Sequence, residues 1–219
     1  MELSNFFPMW KDLTYEEQER LKTESTYQTV KKGTVLHNGS MDCSGLLLIE
    51  KGQIRAFILS EEGREVTIYR LFERDICLFS ASCMIQSIQF DISITAEKDT
   101  SFWRIPPDTY RQIMDKSAPL ANYTNQIMAS RFSEVMWLID AIMWKSFDRR
   151  LAQFILNESG LEDTETLKIT HETIGSHLGT AREVVTRMLN YFQSEGIVKL
   201  SRGTVEITDM KKLENLAEG

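Results

Sequence analysis

Three charged side chains in the stretch THETIGSHLGTAREVVTRMLNYF (170–192) have the types and spacing to do chemistry: Arg182, Glu183 and Arg187. On a helix of 3.6 residues per turn they share one arc of about 140° with Thr186. Two chemistries suit that arc. Glu183 and Arg187 are four residues apart, the spacing of a solvated ion pair on an exposed helix face. Alternatively, arginine donates in bidentate fashion to guanine O6 and N7, while glutamate accepts from cytosine N4. An acidic side chain facing phosphates is otherwise costly, which favours base reading for Glu183 if the helix meets nucleic acid.

The element that holds these side chains separates the two readings. Thr170 suits an N-cap, and Ile174 and Leu178 fall on one face of the helix that follows. Gly179 suits the end of that helix and Thr180 the cap of the next. The expectation is helix, tight glycine turn, helix. Val184, Val185, Met188, Leu189 and Phe192 then form an apolar stripe opposite the charged arc. Downstream, GIVKLSRGTVEI (196–207) reads as a β-hairpin turning at Arg202-Gly203, the wing of a winged helix. In that setting the N-terminal polar residues of the second helix project into a major groove, and base reading is the expected chemistry. His171 and His177 are expected on the surface of this region.

The rest of the chain must position that helix. Its 219 residues, 42% hydrophobic and 26% charged, are enough for a core without disulfide staples. Cys43, Cys77 and Cys83 fit neither a paired framework nor a zinc spacing. The first residues lack a basic region followed by an apolar stretch, and the apolar segment 137–144 is shorter than a membrane span and contains Asp140. A cytoplasmic protein with no membrane contact is expected. The net charge of −7 argues against indiscriminate binding to nucleic acid. Between Leu167 and Val205, however, five cations (Lys168, Arg182, Arg187, Lys199, Arg202) stand against three carboxylates (Glu172, Glu183, Glu195), a local surplus of two.

Thr14 with Glu17 makes a capping box that opens a short helix over 14–23. From about Tyr27 to Arg104, short β-type runs alternate with turn glycines (Gly33, Gly39, Gly52, Gly63), the pattern of an antiparallel barrel or jelly roll. Two prolines in IPPD (105–108) end that region. A long helix follows to about Lys145. In it Met128, Phe132, Val135, Ile139 and Ile142 recur at intervals of 4, 3, 4 and 3, a heptad seam suited to a second copy of the chain. Ile127, Trp137 and Leu138 lie off the seam and are available to the β-domain. A second helix spans 146–160, and a polar loop runs from Asn157 to Thr166.

With these parts in order, ITHETIGSHLGTAREVVTRMLNYFQSEGIV resembles the Crp/Fnr family of bacterial transcription regulators. RRLAQFIL (149–156) resembles the helix that opens the family's DNA-binding domain, and KKGTVLHNG, GLLLIEKGQIR and EEGREVTIYRL resemble its first effector-domain strands. The resemblance implies an α+β chain in three parts. These are an effector-sensing antiparallel β-roll or jelly-roll domain (1–117), a dimerisation helix (118–145) and a winged helix-turn-helix DNA-binding domain (146–219). It implies a homodimer reading an inverted repeat with TGTGA-like half-sites in double-stranded DNA, acting with RNA polymerase. Arg182 and Arg187 would contact guanines or phosphate and Glu183 a cytosine, with Thr170, Thr180 and Arg202 on the DNA backbone.

The sequence also departs from the family. In the stretch LFERDICLFSASCMIQSIQFDISITAEKD, Arg74 stands where a Gly-Asp turn would have glycine. CLFSA replaces the Phe-Gly-Glu run that holds the ribose, and Ile88, Gln89 and Phe90 stand near the expected phosphate arginine. Without a cationic fork a cyclic phosphate loses its main charge-assisted bonds, so cyclic AMP is not the expected effector. No cysteine precedes Cys43 to hold an oxygen-sensing cluster, and His37 alone is a poor haem anchor, so no cofactor is expected. A redox role for Cys77 and Cys83 is an alternative. The reading that remains is a small organic effector, aromatic or an apolar acid, in an apolar cleft walled by Cys77, Phe79, Met84 and Ile85, with Met136, Trp137 and Trp144 from the long helix. A cupin-like metal enzyme would need two or three converging histidines, and the β-region has one, so no enzymatic activity is expected.

Overall fold

The expected capping box forms at the start of the first helix. Thr14 N donates to Glu17 Oε2 at 2.8 Å and Glu17 N donates to Thr14 Oγ1 at 3.3 Å, satisfying two backbone donors reciprocally. The structure is a computed structural model describing residues 2–39, 44–80 and 91–218. Two units divide the chain: Met1–Ile58 with Ile68–Val135, and Leu59–Thr67 with Met136–Gly219. The expected mixture of antiparallel sheet, long helix and helix-turn-helix is what the chain adopts.

The first unit contains α1 (Tyr15–Glu24) and strands β1 (Thr26–Val30), β2 (Val35–Asn38), β3 (Leu46–Lys51), β4 (Ile54–Leu59), β5 (Glu65–Leu71, of which the part from Ile68 belongs here), β6 (Ile76–Cys77), β7 (Ser93–Ala96) and β8 (Thr100–Ile105). They form two four-stranded sheets, ordered β1-β8-β3-β6 and β2-β7-β4-β5. The run GLLLIE is apolar without alternation because β3 is covered on both faces. Leu47 and Ile49 join Ile54, Ala56, Ile94 and Phe102 in one cluster, while Leu46 and Leu48 join Leu21, Ile105, Tyr110 and Leu120 in another. The prolines that end β8 begin the next element, with Pro107 in the first turn of α2 (Pro107–Met114), where its missing N–H costs nothing. The long helix α3 runs from Ala118 to Trp144.

The second unit holds α4 (Phe147–Glu162), β9 (Thr166–Leu167), α5 (His171–Leu178), α6 (Arg182–Ser194), β10 (Val198–Ser201), β11 (Thr204–Ile207) and α7 (Met210–Glu218). The segment expected as a loop from Asn157 is helical to Glu162, where Asp163 ends the helix in the left-handed region (φ 49°). Thr166 and Leu167 then pair with β11 as a third strand beside the wing hairpin. The hairpin turns at Arg202-Gly203 as expected. One core gathers Leu151 and Ile155 of α4, Ile174 of α5, Val185, Leu189 and Phe192 of α6, Val198 and Val205 of the hairpin, and Leu213 of α7.

Two backbone positions give testable consequences. Arg74 adopts φ 74°, in the region that costs a non-glycine residue roughly 1–2 kcal/mol. We expect Arg74→Gly to raise stability by about 1 kcal/mol in urea unfolding, the relieved strain slightly exceeding the added chain entropy. At Gly175 a Cβ would meet the Thr180 carbonyl oxygen at 2.8 Å. Helix propensity favours alanine by up to about 1 kcal/mol, whereas a backbone clash costs about 1–3 kcal/mol, so Gly175→Ala should destabilise. Gly160→Ala is the control, since its Cβ meets nothing within 4 Å and propensity alone should make it neutral or stabilising.

Candidate nucleic-acid interface

Burial of one face fixes which face of α6 is presented. Val185, Leu189 and Phe192 are each fully buried, so the stripe on which they lie is turned inward. Arg182, Glu183, Arg187 and Asn190 are exposed and Thr186 is half-buried, and these five side chains line one shallow depression. Among the described residues no ion pair joins Glu183 to Arg187. Asn190 was not singled out from the sequence. Its signal is positional: it lies three residues after Arg187 and seven after Glu183, on the same face.

The turn that sets α6 against α5 closes by backbone bonds. Gly179 takes φ 68°, and both its N–H and that of Thr180 donate to the Gly175 carbonyl, the Thr180 bond at 3.0 Å. This is a Schellman-type ending. It places Thr180 in the closing turn, and the N-cap of α6 falls on Ala181, which makes no side-chain cap bond. The expectation that Thr180 caps α6 is thereby corrected. Thr170 does cap α5, its hydroxyl accepting from Thr173 N at 3.1 Å. Thr170 and Arg202 are exposed and Thr180 is half-buried.

The two histidines differ from the surface positions expected of them. His171 is half-buried with Nδ1 2.8 Å from Thr186 Oγ1, and Thr186 Oγ1 also donates to the Arg182 carbonyl at 2.9 Å. Burial, and then the nearby Arg182 charge, lower the His171 pKa and favour the neutral ring that such a bond suits. His177 is only 6% exposed. It stacks on Phe154 at 5.2 Å between centroids, and its Nδ1 lies 2.7 Å from Thr67 Oγ1 within the same unit.

Of the residues expected to wall an effector cleft, Cys77 and Phe79 are buried beside Tyr69, with the Tyr69 and Phe79 rings 5.7 Å apart. Burial pushes up the pKa of the Cys77 thiol and that of the Tyr69 hydroxyl. Arg131 of α3 was missed: its guanidinium lies 5.2 Å from the Tyr69 ring, 2.6 Å from Glu134 and 3.4 Å from Asp75. Trp137 is 73% exposed, and Met136 and Trp144 are exposed as well. Cys83, Met84 and Ile85, together with Ile88, Gln89 and Phe90, lie outside the described residues. On the heptad seam, Phe132, Ile139 and Ile142 are exposed, Val135 is half-buried, and Met128 packs against the first unit's core. Among the described residues no group of three His, Cys, Asp or Glu side chains gathers to hold a metal ion, and no helix is long and apolar enough to cross a membrane.

Comparison with known proteins matches two stretches of the chain. Residues 27–117 match the cyclic nucleotide-binding domain family, and residues 149–216 match the Crp-like helix-turn-helix domain family. A crystal structure described as a transcriptional regulator of the Crp/Fnr family from Eubacterium rectale is 59% identical, with a TM-score of 0.96 over 98% of this chain and 100% of that one. The cyclic AMP receptor protein of Thermus thermophilus is 26% identical over 80% of either chain. The fumarate and nitrate reduction regulatory protein of Yersinia pestis is 29% identical over 86% of this chain and 77% of its own. With a helix-turn-helix that turns Arg182, Glu183 and Arg187 outward, and a relative this similar over its whole length, the chain belongs to the Crp/Fnr family of transcription regulators.

Proposed function

We propose that the chain acts as a homodimer that reads an inverted repeat with TGTGA-like half-sites and is controlled by a small-molecule effector other than cyclic AMP. The observation that carries the reading is the outward set of Arg182, Glu183 and Arg187 at the N-terminal end of α6, opposite three fully buried side chains. Arg182 and Arg187 contact guanine or phosphate and Glu183 accepts from cytosine N4. Thr170, Thr180 and Arg202 hold the DNA backbone, with Asn190 extending the face. The exposed seam residues Phe132, Ile139 and Ile142 meet their counterparts in the second copy, and DNA-bound dimers act with RNA polymerase.

The described part of the cyclic-nucleotide cassette supports a different effector. Leu78 and Phe79, where the ribose would be held, are 1% and 7% exposed apolar side chains that offer it no hydrogen bond. Arg131, a nearby cation, is already engaged by Glu134 and Asp75. A redox reading through Cys77 is less well supported, because a buried thiol with a raised pKa holds little thiolate.

Fluorescence anisotropy at fixed salt, on a TGTGA-type inverted repeat and on a scrambled duplex, tests the reading. Preference for the repeat without cyclic AMP is expected. Arg182→Ala should lose about 1–3 kcal/mol of discrimination while keeping most of its scrambled-duplex affinity. Binding that requires cyclic AMP would overturn the effector reading. Equal losses on both duplexes would reduce Arg182 to a phosphate contact.

A further inference from the structure

A second concavity lies in the first unit, at the β1–β2–β8 edge of the roll. Phe102 and Arg104 are alternate residues of β8 and point to the same side of the sheet. Gln28 of β1 pairs with Phe102, and Leu47 of β3 pairs with Arg104. These four therefore share one face, and that face is the interior one, since Leu47 is 1% and Phe102 2% exposed. Together with Asn38 of β2 and Ser44 they line a cavity of about 320 Å³. At about 30 Å³ per water this equals roughly ten water molecules. That is the small end of the range for ligand pockets, about 300–1,000 Å³.

Among the described residues that line this cavity, the charge is one-sided. An arginine on an inward sheet face is uncommon unless it has an acceptor of matching charge. Arg104 Nε donates to the Ser44 carbonyl, which uses one of five guanidinium donors. No carboxylate stands among the described residues that line the space. The Ser44 hydroxyl donates to the Leu36 carbonyl at 2.6 Å, and Asn38 Oδ1 accepts from Ser93 at 3.3 Å, which leaves the Asn38 amino group as a donor. Donors thus line one part of the cavity and Leu47 and Phe102 floor the other. We propose that this cavity binds a small monocarboxylate with an apolar body about the size of one aromatic ring. The carboxylate pairs with the Arg104 guanidinium, the amides of Gln28 and Asn38 add donors, and the hydrocarbon rests on Leu47 and Phe102. The assignment concerns binding and does not rest on the DNA reading above.

Isothermal titration of the full chain with benzoate, and with benzamide as its uncharged counterpart, tests it. Saturable benzoate binding is expected, with benzamide at least tenfold weaker and Arg104→Gln lowering benzoate affinity at least tenfold. Methyl resonances of Leu36 and Leu47 should shift on adding benzoate while those of Leu189 stay in place. Should Arg104→Gln fail to give a folded circular-dichroism spectrum, Gln28→Glu at a half-buried strand position is the second variant. Its new carboxylate opposes that of the ligand and should lower affinity by a similar factor. Absent binding, equal binding of benzoate and benzamide, unchanged affinity in the folded variants, or shifts confined to Leu189 would each overturn the assignment.

Discussion

The inward burial of Val185, Leu189 and Phe192 is the interaction on which the functional surface depends. Each fully buried side chain of this size is worth about 1.5–3 kcal/mol relative to exposure, so the three together hold the rotation of α6 about its axis. Turning the helix by one residue would expose part of that stripe and drive an arginine toward Leu151 and Ile155. The polar face follows from the apolar one. Because Gly179 closes α5 in a left-handed turn, and Gly175 lets the Thr180 backbone approach, α6 also starts at a fixed point against α5. Arg182 and Glu183 occupy the first turn as a result of that geometry rather than of any contact they make themselves.

The first unit is organised by a strand that has no solvent face. β3 supplies alternate residues to two cores, and the cavity beside Arg104 lies where its inner layer meets β1 and β2. Tyr69 and Phe79 form a buried aromatic pair, with the Arg131 guanidinium near the Tyr69 ring and committed to Glu134 and Asp75.

Much of this was legible in the sequence where chemistry is local. Thr14 with Glu17, Thr170 with Thr173, Gly179 and the Arg202-Gly203 turn each declare themselves within a few residues, and each forms. Patterning gave the stripe of α6, and on α3 it marked Phe132, Ile139 and Ile142, which are exposed. What was not legible depends on distant partners. Arg131 looks like any helix-surface arginine until Asp75, 56 residues away, is brought to it. His177 reads as exposed until Phe154 and Thr67 cover it. Asn190 carries no charge to draw notice, and α7 shows its purpose only when Leu213 and Ala217 reach the core built by α4 and α6. The cap expected at Thr180 moved by one residue because the backbone bonds of the Schellman turn claim that position first.

The central claim is that two outward-facing copies of α6 are held in a fixed symmetric relation to DNA. Affinity measured across a series of inverted repeats with varied centre-to-centre spacing tests it most directly. One helical turn is roughly 34–36 Å, or about 10–10.5 base pairs, and recognition helices related by a two-fold axis should bind best near that separation. Adding about five base pairs puts the half-sites on opposite faces of the duplex and should reduce affinity to that of a single half-site. Affinity that is indifferent to spacing would contradict the account.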